Sequence, residues 1–129
     1  MFMMYLYIFI GGGLGSLLRY ACSISLQEKI FFPWLMGIPL GTLVVNWLGA
    51  FILGFISGSL LFETNLRIGI STGLMGGFTT FSTFSVEEAK LLAVGQGWKV
   101  LLHALLHVGG GLILAIVGLS LGAFYAKKV

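Results

Sequence analysis

The sequence predicts an all-α membrane protein of four transmembrane helices, the third broken near its middle. Three observations predict it. Of 129 residues, 58% are hydrophobic and 9% charged, against roughly 25% charged in a soluble domain. Four apolar segments are each long enough to cross a bilayer. Glycines and hydroxyl side chains crowd the middle of the third. A water-soluble fold of this length could not hide so much apolar side chain, because small domains leave much of their surface wet. The bilayer is the natural solvent, and residues 1–129 are expected to form a single domain.

A spanning helix needs roughly 20 mainly apolar residues. The first qualifying segment runs from about Met3 to Leu26 and the second from about Leu35 to Phe62. The third runs from about Leu66 to Val94 and the fourth from about Trp98 to Ala126. The start of the chain has no basic region before its apolar run, so it reads as a retained helix rather than a cleaved signal. Gln27-Glu28-Lys29 with Pro33, Glu63-Thr64-Asn65 and Gly95-Gln96-Gly97 punctuate the segments. Trp34 and Trp98 stand where interfacial aromatics belong. Such short connections make neighbouring helices antiparallel.

The formal net charge is +3, but the seven basic residues are scattered and form no phosphate-binding stripe, so nucleic acid is not an expected partner. Cys22 is the single cysteine, which excludes an intramolecular disulfide and a multi-thiolate zinc site within one chain. Arg67, Lys127 and Lys128 fall on the side of the termini. Lys29, Lys90 and Lys99 fall on the other, joined by Arg19 if it snorkels that way. So even a balance leaves the positive-inside rule undecided. Either one residue decides the orientation, or the chain inserts both ways and pairs as an antiparallel dimer.

Glycines at small-xxx-small spacing mark helix contacts: Gly11 and Gly15, Gly54 and Gly58, Gly69 with Gly73 and Gly77, Gly118 and Gly122. Four helices packed this closely enclose little space, so a transport path calls for more than one subunit.

The run from Gly76 to Ser85 carries the chemistry. Paired glycines and clustered hydroxyls are poor material for an unbroken helix. A break at membrane depth is tolerated where the freed backbone is buried, lines a cavity or binds an ion. Freed carbonyls suit a small hard cation, and freed amides and hydroxyls suit an anion. Phe81 and Phe84 share a helical face, and their positive ring edges could attract a small anion, or the rings could simply pack. Asn46 is an amide in the centre of the second helix with Thr42 one turn earlier, suited either to function or to holding helices together. Arg19 either snorkels or forms an anion-concentrating vestibule. Glu87 and Glu88 mark the end of the embedded part, or one of them pairs with a basic side chain. His103 and His107 have a ligand spacing but no third ligand nearby, so polar lining or interhelical bonding is expected rather than zinc chemistry. The glycine run from Gly11 to Gly15 is a poor dinucleotide motif, with no strand before it. No catalytic residue is expected.

Three stretches carry a resemblance: G-G-G-L-G-S-L-L-R-Y from Gly11 to Tyr20, G-T-L-V-V-N-W-L-G from Gly41 to Gly49, and R-I-G-I-S-T-G-L-M-G-G-F-T-T-F-S-T-F-S from Arg67 to Ser85. Along essentially its whole length the sequence resembles the CrcB/Fluc family of fluoride channels. The resemblance implies a dual-topology antiparallel homodimer in the cell membrane, with two fluoride pores and passive export of fluoride. It implies a central Na⁺ held by the backbone carbonyls of Gly76 and Thr79 from both subunits. It implies that Phe81 and Phe84 line the pores, that Asn46 donates to the ion, and that Thr80, Ser82 and Thr83 form a polar track. Arg19 matches the vestibule residue and Glu87 a recurrent acid beyond the break. The fourth helix departs from the pattern. His103, His107 and Gly111 stand where some members have a tyrosine and serines, and a histidine would make conduction respond to pH. A small multidrug exporter and an accessory subunit without transport are the alternatives. Against the first, the opening helix lacks an acid, and all the acids are expected near or beyond helix ends. The second leaves the Gly76–Ser85 run unexplained.

Overall fold

The computed structural model describes residues 1–29, 37–59 and 61–128, with the side chains of 27–29 excepted. Pro33, Trp34 and the side chain of Lys29 therefore lie outside the described residues. The described residues are helical, with no strand among them. Helix α1 is Phe2–Lys29 and α2 is Leu40–Gly58. Helix α3 covers 64–78: an α-turn Thr64–Ile68, a wider π-helical stretch Gly69–Met75 and a last turn Gly76–Phe78. Thr79 and Thr80 interrupt it in extended conformation, and α4 follows as Phe81–Ala93. Helix α5 is Gly97–Ala126, with a π-turn at Leu106–Gly110.

Phe2–Leu26, Leu40–Gly58 and Gly97–Ala126 are each long and apolar enough to cross a membrane. The third apolar segment is divided by the break between α3 and α4. The second begins and ends inside its expected bounds, because Pro39 precedes its first turn and Ser59 caps its last, its N–H donating to the Phe55 carbonyl. Gly95, at φ +74°, turns the chain from α4 into α5, a backbone region that glycine enters without steric cost.

The expected glycine faces are where the backbones meet. A Cβ on Gly69 would touch Tyr7, one on Gly73 would touch Ile8, and one on Gly77 would lie 2.4 Å from the Gly12 carbonyl. Helices α1 and α3 therefore run side by side in the same direction. Likewise Gly54 and Gly58 of α2 face Ala115 and Leu119 of α5, and Gly118 and Gly122 face Phe51 and Phe55, with would-be Cβ contacts of 2.2–2.4 Å. First and third apolar segments pair, as do second and fourth, which is the arrangement alternating crossings produce. Backbones this close gain dispersion and polar contact where lipid supplies no hydrophobic drive.

The interior combines an apolar core around Val45, Met75 and Phe78 with buried polar groups, and the outside is apolar. Thr42, Thr80, Glu88 and His103 are buried, whereas Phe9, Leu17, Leu101 and Val108 face outward. An apolar exterior suits a hydrocarbon solvent, in which each polar group must be satisfied within the protein. The chain is a multi-pass membrane protein.

Candidate functional site

The break is made by threonines rather than by the adjacent glycines. Gly76 and Gly77 stay helical, and Gly77 serves the contact with α1. Thr79 turns out at φ −83°, ψ 158° and Thr80 at φ −153°, ψ 116°. The Thr80 hydroxyl accepts from the Thr83 N–H at 3.1 Å and starts α4 as its N-cap. The same hydroxyl donates to Thr83 Oγ1 at 2.9 Å and lies 3.3 Å from Ser82 Oγ. The predicted hydroxyl track is thus one connected cluster at the foot of α4.

Asn46 holds the break in place from α2. Its Nδ2 donates to the Thr80 carbonyl at 3.1 Å, and its Oδ1 accepts from the Thr80 N–H at 2.8 Å. One amide side chain satisfies both backbone groups of the residue that left the helix. One Nδ2 hydrogen is left over from this pair.

A helix end frees its last four carbonyls, and for two of them the diverted donor can be traced. In an unbroken helix the Thr80 N–H would serve Gly76 and the Thr83 N–H would serve Thr79. The first goes to Asn46 and the second to the Thr80 hydroxyl. Arg19 Nη1 reaches the Thr79 carbonyl at 3.5 Å, a long contact. Gly76 faces open space, with nothing within 4 Å of a would-be Cβ. Freed carbonyl oxygens of this kind could hold a hard cation.

Beside the break lies a cleft of about 370 Å³ between α2, α4 and α5. Asn46, Gly49, Ala50 and Leu53 form one wall, Thr79, Thr80, Phe81 and Phe84 another, and His107, Val108 and Gly111 the third. Phe81 and Phe84 are neighbours, as their spacing predicts, with ring centroids 5.7 Å apart and planes tilted by 45°. Phe84 also packs on His107 at 4.4 Å and on His103 at 5.6 Å. Phe81 is 78% exposed. Ser82, Thr83 and Arg19 stand outside the cleft lining, though within one or two hydrogen bonds of it.

The acids occupy positions the sequence did not lead one to expect. Glu87 and Glu88 lie within α4, and Glu88 is buried. Glu87 Oε1 accepts from the Thr42 hydroxyl at 2.6 Å. Glu88 Oε1 lies 2.5 Å from His103 Nδ1, so the basic partner is a histidine. The expectation of acids only near helix ends is therefore corrected. Packing drives the difference, because α4 continues for a full turn beyond Glu88 before Gly95 ends it. Sequence reasoning also passed over Trp47, whose Nε1 donates to the Leu106 carbonyl at 2.9 Å where the π-turn begins. Its signal was adjacency to Asn46. The face Thr42, Asn46, Gly49, Ala50 and Leu53 could likewise have been traced on a helical wheel.

Residues 6–119 match the family of CrcB-like proteins described as camphor resistance (CrcB). A Staphylococcus aureus protein (strain bovine RF122 / ET3-1) named fluoride-specific ion channel FluC 1 is 42% identical over 124 residues, covering 93% of this chain and 97% of the relative. Fluoride-specific ion channel FluC of Serratia proteamaculans is 42% identical over 118 residues, covering 88% and 89%. Fluoride-specific ion channel FluC 2 of Cutibacterium acnes is 40% identical over 123 residues, covering 92% and 96%.

Proposed function

The chain belongs to the CrcB-like family, and from that premise we propose that it is a fluoride-selective channel that exports the anion passively across the cell membrane. The family is one of channels, not enzymes. The observation that carries the reading is the cleft at the helix break, where Asn46, Thr80 and two phenylalanine rings line one space.

Fluoride is small and strongly hydrated, so selective passage requires fixed donors in place of its water. The remaining Asn46 N–H, the Thr83 hydroxyl with those of Thr80 and Ser82 linked behind it, and the ring edges of Phe81 and Phe84 would be such donors. Arg19 would concentrate the anion at the mouth. Together α3 and α4 would make the third of four crossings. A second subunit in the opposite orientation would cover the exposed Phe81 and give two pores per homodimer. Na⁺ held between the subunits by the Gly76 and Thr79 carbonyls would supply a fixed central positive charge, which lowers the cost of an anion in a low-dielectric interior. With the cell interior negative, each 100 mV favours outward anion movement by about 2.3 kcal/mol.

Fluoride efflux from proteoliposomes tests the reading, measured with a fluoride electrode beside a matched chloride control. Rapid fluoride loss without chloride loss supports it. No fluoride loss from well-folded protein overturns it. A second test concerns the rings. Phe81→Ile and Phe84→Ile keep most of the volume and remove the positive edge. Ring electrostatics of about 0.5–1.5 kcal/mol correspond to a fall in fluoride flux of up to roughly tenfold for each, with the assembly intact. Unchanged flux in both variants would remove the rings from the path.

A further inference from the structure

The interior holds one polar cluster that the proposed pore touches only through His107. Glu87 and Glu88 come from α4, Thr42 from α2, and His103 and His107 from α5. His103 is fully buried, with Nδ1 2.5 Å from Glu88 Oε1. His107 Nδ1 lies 3.3 Å from the His103 carbonyl, and the two rings meet edge to face at 4.4 Å. Four buried atoms of this cluster have no hydrogen-bond partner among the described residues: Glu87 Oε2, Glu88 Oε2, His103 Nε2 and His107 Nε2.

Hydrogen-bond polarity decides what these atoms can take. A carbonyl only accepts, so His107 Nδ1 carries the hydrogen that points at His103. Neutral His107 then bears a lone pair on Nε2. With Glu88 ionised, His103 Nδ1 likewise holds the proton between them and leaves a lone pair on its Nε2. With both carboxylates ionised, all four orphaned atoms are acceptors. Orphaned buried acceptors are costly, and charged ones more so. The missing component is a donor. Among the described residues, no group of three or more His, Cys, Asp or Glu side chains is arranged to hold a metal ion.

We propose that Glu87, Glu88, His103 and His107 form a proton-binding site whose occupancy sets anion passage through the adjoining cleft. The proposal rests on the channel reading for its effect on current, but not for the site itself. His107 is the link, because it belongs to the cluster and also walls the cleft against Phe84. A proton on His107 Nε2 converts a lone pair into a donor and adds positive charge beside the path. A proton on either carboxylate removes negative charge. Both changes favour an anion. The surrounding groups do not reverse this sign. From α2 they are the uncharged Thr42 and Asn46, and from α4 Lys90, an exposed cation near Glu87. From α1 comes Arg19, at the Thr79 carbonyl.

The test uses the full chain in planar bilayers under symmetric fluoride, reading current, to which neutral HF does not contribute. Wild-type current is expected to rise severalfold as the pH falls from about 8 to about 4, most steeply at the acid end. His107→Gln offers an amide N–H at every pH and is expected to flatten the profile. A wild-type current that ignores pH, or a His107→Gln variant that keeps the wild-type slope, overturns the coupling. Nitrogen-15 NMR of histidine-labelled protein in lipid gives a readout independent of fluoride. Both rings are expected as the Nδ1–H tautomer at high pH, with Nε2 of at least one gaining a proton on acidification. Ring signals that do not move overturn the proton site and leave water as the donor. Absent fluoride current alongside a titrating ring would overturn the channel reading alone.

Discussion

Asn46→Asp is expected to lower fluoride flux by about three orders of magnitude. Both ends of the Asn46 amide are engaged with Thr80, the Nδ2 donating to its carbonyl and the Oδ1 accepting from its N–H. Aspartate keeps the acceptor and loses the donor, so the Thr80 carbonyl is orphaned at a cost of about 1–3 kcal/mol. It also puts a carboxylate on the cleft wall. At about 4 Å and an effective dielectric constant near 20, that charge repels an anion by about 4 kcal/mol, or roughly a thousandfold in occupancy. Fluoride efflux from proteoliposomes checks the first effect, and the elution profile of the purified protein separates it from misfolding. Flux close to wild type from a well-behaved Asn46→Asp preparation would place the anion's route elsewhere.

Gly118→Ala is expected to cost the fold more than any other single methyl group on α5, apart from one at its partner Gly122. Its Cβ would stand 2.2 Å from the Phe51 carbonyl oxygen and 2.9 Å from the Phe55 nitrogen. Both obstacles are backbone, so the helices must separate. Overpacking of this kind costs roughly 1–3 kcal/mol, and separation also weakens the facing contact of Gly54 with Ala115. A drop of several degrees in Tm in detergent is the expected result. Gly97→Ala is the control. Nothing lies within 4 Å of its would-be Cβ, and alanine there favours helix. Equal Tm values for the two variants would mean that α2 and α5 do not meet as described.

Much of this was legible beforehand because membrane sequences declare themselves through length and composition. Each predicted glycine pair lies at a helix contact, since close backbone approach leaves one residue type little competition. Phe81 and Phe84 were placed together by a spacing of three. What stayed hidden depended on partners distant in sequence. Nothing in the order of residues says that Asn46 will bond Thr80, or that Thr42 will reach Glu87 across 45 positions. The point of the break was also blurred. The glycines looked like its cause, yet Thr80 makes it by capping α4 with its own hydroxyl. The histidines showed only a spacing of four, and their acid partner became visible once α4 lay against α5.

The π-turn at Leu106–Gly110 sets the angular phase of the last helix. On an uninterrupted α-helix each residue advances by about 100°, so His107 and Gly118, eleven positions apart, would fall within roughly 20° of each other. They would then compete for one neighbour. In the protein, His107 packs on Phe84 of α4 whereas Gly118 faces Phe51 on α2. The widened turn works as a one-residue ratchet, absorbing an extra position so that two differently composed stripes address two different helices. Removing one residue from this turn would restore a regular helix. It would also swing the histidines out of step with the glycines, so one stripe could dock only by giving up the other.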